Sequence, residues 1–320
     1  MNASTHNLIT LVFACIVAIG CSKIDDSVIN TGDELPLRID AGHLPNAIRI
    51  HERVISGGQP DGEAAFEELR SLGVRTIISV DGAKPDVVLA ARHGMRYVHL
   101  PHGYNGIPDE LGVQLAKAVR DFEGPIYIHC HHGRHRSPTA AAVACVANGM
   151  LEPLAATQLL RFAGTSENYL GLYQSAASAR RLDSRLLDSL EADFPEVAEL
   201  PPFAEAMVAL EHTHDHLKRF AAAGWDTLDD RLDLDPAHEG LVLMEHFAEL
   251  LRMESVAREP DEFHLMLERS ETDARKLETL LRDRMTSKAV PIPEIDRAFK
   301  LLSDSCTACH QQFRDVPLSP

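Results

Sequence analysis

The chain has 320 residues, 45% hydrophobic and 25% charged, enough apolar material for two cores of ordinary size. Fifteen of its seventeen net negative charges fall in residues 186–320, which hold 29 acids against 14 lysines and arginines. Such an acidic balance excludes nucleic acid and an anionic membrane surface as partners, and the step in composition marks a boundary between two domains.

The first 42 residues read as an export signal and a tether. Residues 8–20, LITLVFACIVAIG, form an apolar run too short to span a bilayer and of signal-peptide length. Ala18-Ile19-Gly20-Cys21 resembles a bacterial lipoprotein cleavage box. The resemblance implies an exported, periplasmic protein anchored through an acylated Cys21, with residues 1–21 as the signal peptide; an uncleaved membrane anchor is the alternative. Residues 22–42 are polar and read as a flexible tether.

Residues 43–185 alternate strand-like and helix-like segments. Residues 48–56 (IRIHERVIS), 75–80 (RTIISV) and 95–100 predict strands. Helices are predicted from an Asp61 cap to residue 72, over 87–93, and over 109–122 behind Pro108. The alternation implies an α/β domain with a mostly parallel sheet, helices on both faces, and ligands beyond the carboxyl ends of the strands.

Within this domain, residues 124–148 (GPIYIHCHHGRHRSPTAAAVACVAN) stand out. Ile126, Tyr127 and Ile128 predict a buried strand, and the alanine-rich run behind Pro138 predicts a helix. A short loop entering a helix gathers backbone N–H groups and positive potential, which suits an anion. That potential, with Arg136, would stabilise a thiolate at Cys130, and the planar fork of Arg136 matches two oxygens of a phosphate or sulfate. Ser137 would stabilise the sulfur as it departs. Cys145, about four helical turns away, reads as core.

His129-Cys130-x5-Arg136-Ser137 resembles the signature loop of protein tyrosine and dual-specificity phosphatases. Gly57-Gly58-Gln59-Pro60 and Tyr97-Val98-His99-Leu100-Pro101 extend the likeness to the bacterial and Siw-type members, over roughly residues 43–180. The resemblance implies that Cys130 attacks phosphorus, that a thiophosphoryl intermediate is hydrolysed, and that His129 is a buried orienting residue. His131, His132, Gly133, Arg134, His135 and Arg136 would form the phosphate-binding loop. The same likeness expects a general acid near position 104, where the chain reads His102-Gly103-Tyr104-Asn105-Gly106-Ile107-Pro108-Asp109. Asp109 is the nearest acid, with a first-turn helix residue as its other reading; His102 and Asp81 are further candidates. His131, His132 and His135 either tune the charge of the loop or ligate a metal.

A proline-rich linker, 186–202, precedes a run of four helical segments over 203–320: 203–223, 238–258, 261–285 and 294–314. Short proline-bearing joints predict an antiparallel four-helix bundle. Cys306-Thr307-Ala308-Cys309-His310 near its end is a haem-attachment pattern, with a zinc pair or a redox C-x-x-C as the other readings. Its place in the last helix of a bundle resembles the class II cytochromes c, of cytochrome c-prime type. That implies one covalent haem c on Cys306 and Cys309, with His310 on the iron. The second axial position goes to Met207 or stays open; His212, His214 and His216 read as a solvated face.

The whole is expected to be an exported haem protein that hydrolyses a phosphomonoester through Cys130, with the haem domain serving redox sensing or electron transfer. Oxidation of a thiol, persulfide or sulfur oxyanion at the same cysteine is the alternative, and a non-catalytic anion sensor the third. The partners expected are a phosphorylated or sulfur-containing substrate, a redox protein and a second copy of the chain.

Overall fold

The structure is a computed structural model that describes residues 36–318, apart from 229, 230, 232, 288 and 289. The expected signal peptide, Cys21 and most of the tether lie outside the described residues. The first half carries strands β1 (Leu37–Arg38), β2 (Ile48–His51), β3 (Val54–Gly58), β4 (Thr76–Ser79), β5 (Arg96–His99) and β6 (Ile126–Cys130). Interleaved with them are α1 (Gly62–Ser71), α2 (Val87–Arg92), α3 (Asp109–Asp121) and α4 (Arg136–Ala147). Helices α5 (Pro153–Ala163), α6 (Leu170–Ser178) and α7 (Ser184–Ser189) complete it.

The six strands form one mixed sheet in the order β1-β2-β3-β6-β4-β5. β3, β6, β4 and β5 run parallel, while β1 and β2 are antiparallel additions at one edge. Side chains alternate across the sheet as the pleat requires. Ile78, Val98, Ile126 and Ile128 pack toward α3, α4 and α5, whereas Ile55, Ile77, Tyr97 and Tyr127 pack toward α1 and α2. Both faces are therefore covered, which explains why β3, β4 and β6 are buried along their whole length.

Two local expectations are corrected. Residues 48–56 are not one strand but a hairpin, β2 and β3, turning at Glu52-Arg53. The Arg53 N–H donates to His51 Nδ1 at 3.2 Å, and its guanidinium donates to the carbonyls of Val119 and Phe122 at the end of α3. Side-chain bonding thus makes a turn that carries no glycine or asparagine. Asp61 stands at the start of α1, but its side chain makes no capping bond.

The second half is α8 (Pro202–Ala222), α9 (Pro236–Leu251), α10 (Asp261–Ser287) and α11 (Ile292–Cys309), continued as a π-helical turn over His310–Arg314. Their apolar stripes meet in a core of their own, including Leu217, Phe220, Leu243, Phe247, Leu267, Leu277 and Leu302. Two cross-links fix α8 antiparallel to α11: Trp225 Nε1 donates to Asp296 at 2.8 Å, and His214 Nε2 pairs with Ser303 Oγ at 2.9 Å. The second helix ends at Leu251, short of the expected 258, and a separate 3-10 turn covers Val256–Arg258.

Both halves lie within a single compact unit. The connecting segment does not swing free: His99 N donates to the Pro195 carbonyl at 2.8 Å, and Ala198 N donates to His99 Nδ1 at 3.0 Å. It therefore lies along β5, the outer parallel strand.

Candidate active site

Cys130 is the last residue of β6, and Arg136 opens α4. The loop between them sits at the carboxyl ends of the parallel strands, beside Gly57-Gly58 of β3 and the Asp81 turn after β4. Gly133 makes the loop's shape possible. Its φ is +72°, and a Cβ there would lie 2.3 Å from Gly58 N. The loop is pinned on three sides: Gln59 N donates to the His131 carbonyl at 3.1 Å, Asn46 Nδ2 to that of His132 at 2.8 Å, and Thr165 Oγ1 to that of Arg134 at 2.6 Å. Gly57 is equally constrained, since a Cβ would fall 2.2 Å from the Tyr127 hydroxyl, which donates to the Gly58 carbonyl.

Cys130 is 2% exposed, and its Sγ lies 3.4 Å from Ser137 Oγ, whose hydroxyl donates to the Gly57 carbonyl at 3.0 Å. Arg136 is 7% exposed; its Nη2 donates to Asp81 Oδ2 at 2.6 Å, while its buried Nε has no partner. An unpaired, buried guanidinium N–H beside a cysteine is a donor aimed at an anion. Asp81 also accepts from the backbone N–H groups of Ala83 (2.9 Å) and His131 (2.8 Å). Burial alone would raise its pKa, yet Arg136 and those two donors hold it at about 2. Burial works against the charge of Arg136, and Asp81 outweighs it, so the guanidinium stays protonated.

His129 is buried, pairs through Nε2 with the Tyr97 hydroxyl at 2.6 Å, and is pushed by burial to about 4. It is neutral and orienting. Of the acid candidates, Asp109 is exposed on the first turn of α3 and does not line the cavity that the loop opens into. Its position is that of a helix-dipole residue. Asp81 and His102 do line that cavity. His102 Nδ1 pairs with the Gly103 carbonyl at 2.8 Å, its Nε2 is buried without a partner, and burial lowers its pKa to about 4. At neutral pH neither carries a proton to give.

His131 and His132 turn outward from the loop, as its wrapped backbone requires, and meet α8. His131 Nε2 pairs with Asp215 Oδ2 at 2.7 Å, and its ring stacks on His212. Among the described residues, His131, His132 and Asp215 are a group of three whose potential metal-ligand atoms lie within 4.8 Å of one another. His135 instead packs on Tyr169.

One cavity of about 800 Å³ joins the two halves of the chain. At one end its walls are Asp81, His102, Tyr104, His135 and Arg136. At the other they are Met207, His214, Cys306, Cys309 and His310, with Phe203, Phe247, Phe263 and Phe313 as apolar wall. The α8–α11 cross-links set a register in which Met207 falls level with His310. His214, expected on a solvated face, lines the cavity as well, and His216 is bonded to Glu239 at 2.8 Å. Burial raises the Cys306 thiol to about 11 and lowers His310 to about 3. Two free thiols one helical turn apart, an adjacent neutral imidazole and an apolar cavity fed by all four helices suit a covalently attached haem.

Sequence reasoning missed Tyr104 and Tyr169, whose rings lie 4.6 Å apart beside Arg136, and the acidic face of α8. No motif marks them: the two rings come together from separate loops of the first half, and α8 reaches the site only through the approach of the second half.

No protein-family model and no curated protein sequence matches the chain. Among solved structures, the chain is similar to P. aeruginosa TpbA in complex with pTyr at 19% identity and a TM-score of 0.40, covering 49% of this chain and 96% of that one. It is also similar to the core catalytic domain of the PP-IP phosphatase SIW14 from S. cerevisiae in complex with citrate, at 15% identity and a TM-score of 0.38, covering 45% and 90%. A DUF442 protein from Shewanella putrefaciens CN-32 is similar at 18% identity and a TM-score of 0.36, covering 42% and 88%. Likenesses this distant carry no functional weight, and the chemistry of the site rests on its own geometry.

Proposed function

We propose that the chain is a cysteine-dependent phosphatase whose anion loop is joined to a haem-binding helical half. The observation that carries this is the unpaired, buried Nε of Arg136 beside Cys130, at the junction of a parallel strand and a helix N-terminus. Cys130 Sγ forms a bond to phosphorus as the bond from phosphorus to the leaving oxygen breaks. Water then bonds to phosphorus as the S–P bond breaks, returning the thiolate and releasing phosphate. Arg136 and the loop N–H groups hold the equatorial oxygens, and Ser137 turns its hydroxyl from Gly57 to the departing sulfur. Asp81 and His102 give the leaving group no proton at neutral pH, which favours leaving groups of low basicity such as aryl oxides; the Tyr104 hydroxyl, pushed up to about 12 by burial, keeps its proton on the same cavity wall. His102 Nε2, buried with a bare lone pair, suits the base that takes the proton of the attacking water.

Cys306 and Cys309 would hold a haem covalently and His310 would ligate its iron, with Met207, level with His310, as the candidate for a further ligand. When bound, such a group supplies one-electron transfer. Export and acylation of Cys21 would place the protein where haem is attached. The shared cavity favours a second reading, in which the Cys130 site takes a thiol, persulfide or sulfur oxyanion as an electron donor.

The test is turnover of an aryl phosphate by the purified protein and by Cys130→Ser. Loss of activity in the variant is expected, and equal rates would remove Cys130 from the chemistry. A visible spectrum of protein expressed with export, oxidised and reduced, tests the haem. Reduction of that haem by persulfide or thiosulfate, faster in the wild type than in Cys130→Ser, would favour the second reading.

A further inference from the structure

The helical half does not merely adjoin the anion loop; it roofs it. On one flank, a Cβ added to Gly82, next to Asp81, would lie 2.8 Å from Val208 of α8 and 3.4 Å from Leu200. The backbone turn beneath Arg136's partner is thus in direct contact with the first turns of α8. Over the loop itself, Asp215 of α8 holds His131 at 2.7 Å and is held by Lys218 at the same distance. On the other flank, the Arg314 guanidinium lies 4.2 Å from the ring centroid of Tyr104, the ring that also carries Arg136 at 4.6 Å. Just beyond, Leu318 N donates to the Asn105 carbonyl at 2.9 Å. The segment after α11 is therefore bonded to the same loop, 102–105, that walls the site.

These contacts decide what can reach Cys130. A phosphorylated residue within a polypeptide brings extended chain on both sides, about 3.3 Å per residue, so two flanking residues each way need a groove of roughly 13 Å across the loop. Here the directions out of the loop are occupied by α8, by the residues after α11 and by the segment bonded along β5. Two openings on the loop remain: the shared cavity, which reaches Arg136 and whose α8 wall carries Glu211, and a smaller pocket of about 330 Å³ lined by Pro45, Asn46, His131, His132, Arg134 and His135. That carboxylate repels the phosphate of either ligand, and it adds repulsion for the further acidic side chains that a phosphopeptide can carry.

We infer that the Cys130 site takes a small free oxyanion ester and rejects the same group carried on a polypeptide. This rests on the assignment of the Cys130 loop as an anion site. The test uses the full chain carrying Cys130→Ser, titrated by calorimetry with phenyl phosphate and with a phosphotyrosyl peptide of about ten residues. Phenyl phosphate is expected to bind and the peptide to bind at least about 30-fold more weakly. Adding Asp215→Ala and Arg314→Ala, which loosens two sides of the roof, is expected to narrow that ratio. Peptide binding as tight as that of phenyl phosphate overturns the inference. Binding of neither overturns it together with the anion-site assignment. Binding of phenyl phosphate alone, with no hydrolysis by the wild type, removes the phosphatase reading and leaves the size restriction standing.

Discussion

The two ends of the shared cavity are built on opposite plans. At the Cys130 end the chain supplies its own partners: the sulfur meets Ser137, Arg136 meets Asp81, and the loop is tied to residues 46, 59, 81 and 165. At the other end two free, half-buried thiols and an imidazole face an apolar space between helices. A self-partnered site is held ready for a ligand that comes and goes, because its shape is determined without that ligand. Two free thiols one helical turn apart, with an imidazole next to them, instead match the spacing of the covalent attachment proposed for them. On the reading proposed above, the chain would set a turnover site and an attachment site beside one cavity, which reaches Arg136 at one end and Cys306, Cys309 and His310 at the other.

The largest test of this contrast is chemical. Cys130→Ser is expected to lower aryl phosphate turnover by about a thousandfold or more while leaving the haem spectrum unchanged, because removing a nucleophile removes its covalent route. Arg136→Lys comes close behind, with a loss of about a hundredfold, since a point charge cannot replace a planar fork. If Arg136→Lys turned over at the wild-type rate, the anion would not be held by the fork.

Next in size is Asp81→Asn. It leaves Arg136 buried beside a neutral amide, and breaking a buried pair in this way costs about 3–5 kcal/mol. Urea denaturation of the two proteins measures it. The sign of the pH dependence comes from the depressed carboxylate. Stability from the pair is complete above the unfolded value near 4 and is lost as pH falls toward about 2. The variant should lack that acid limb.

Much of the Cys130 end was legible in residues 124–148, because a buried strand, a cysteine, an arginine six positions on and an alanine-rich helix are consecutive in sequence. Asp81 was legible only as one of three candidates. It lies 55 positions from Arg136, and nothing local distinguishes a carboxylate that pairs with an arginine from one that caps a turn. Asp109 looked better by spacing and points elsewhere, since the loop after β5 carries His102 and Tyr104 to the cavity and leaves the start of α3 outside. The β2–β3 turn was hidden because Arg53 makes it by reaching a distant helix end. The α8 histidines were misread for a related reason: their partners Ser303, Glu239 and His131 come from other elements. Periodicity sees one element at a time, and these groups act between elements.

Gly82→Ala probes the junction that makes the contrast possible. A Cβ 2.8 Å from a Val208 methyl must push α8 away, at a cost of about 1–3 kcal/mol. The loss should appear in thermal melts, with a rise in protease sensitivity of the segment between Leu190 and Leu200. Val208→Ala in the same chain should recover part of it, since the added methyl then has room. No recovery would mean that α8 is not what the new methyl meets.

The smallest effect belongs to the His131–Asp215 pair. Asp215 raises the pKa of His131, overcoming its burial, with Glu211 and Asp81 adding to the effect. Burial would raise Asp215, but His131 and Lys218 hold it low. A raised imidazole gives stability that is complete below its unfolded value near 6.5 and is lost as pH rises through the folded one. Both side chains are partly exposed, so the pair contributes only about 1 kcal/mol. Asp215→Asn should therefore differ from the wild type more in thermal melts at pH 6 than at pH 8.5, where the part of the gap due to the charge of His131 is gone and the Lys218 pair is still lost. A constant gap between the two proteins would mean that α8 is held over the loop by packing, with the charge of His131 playing no part.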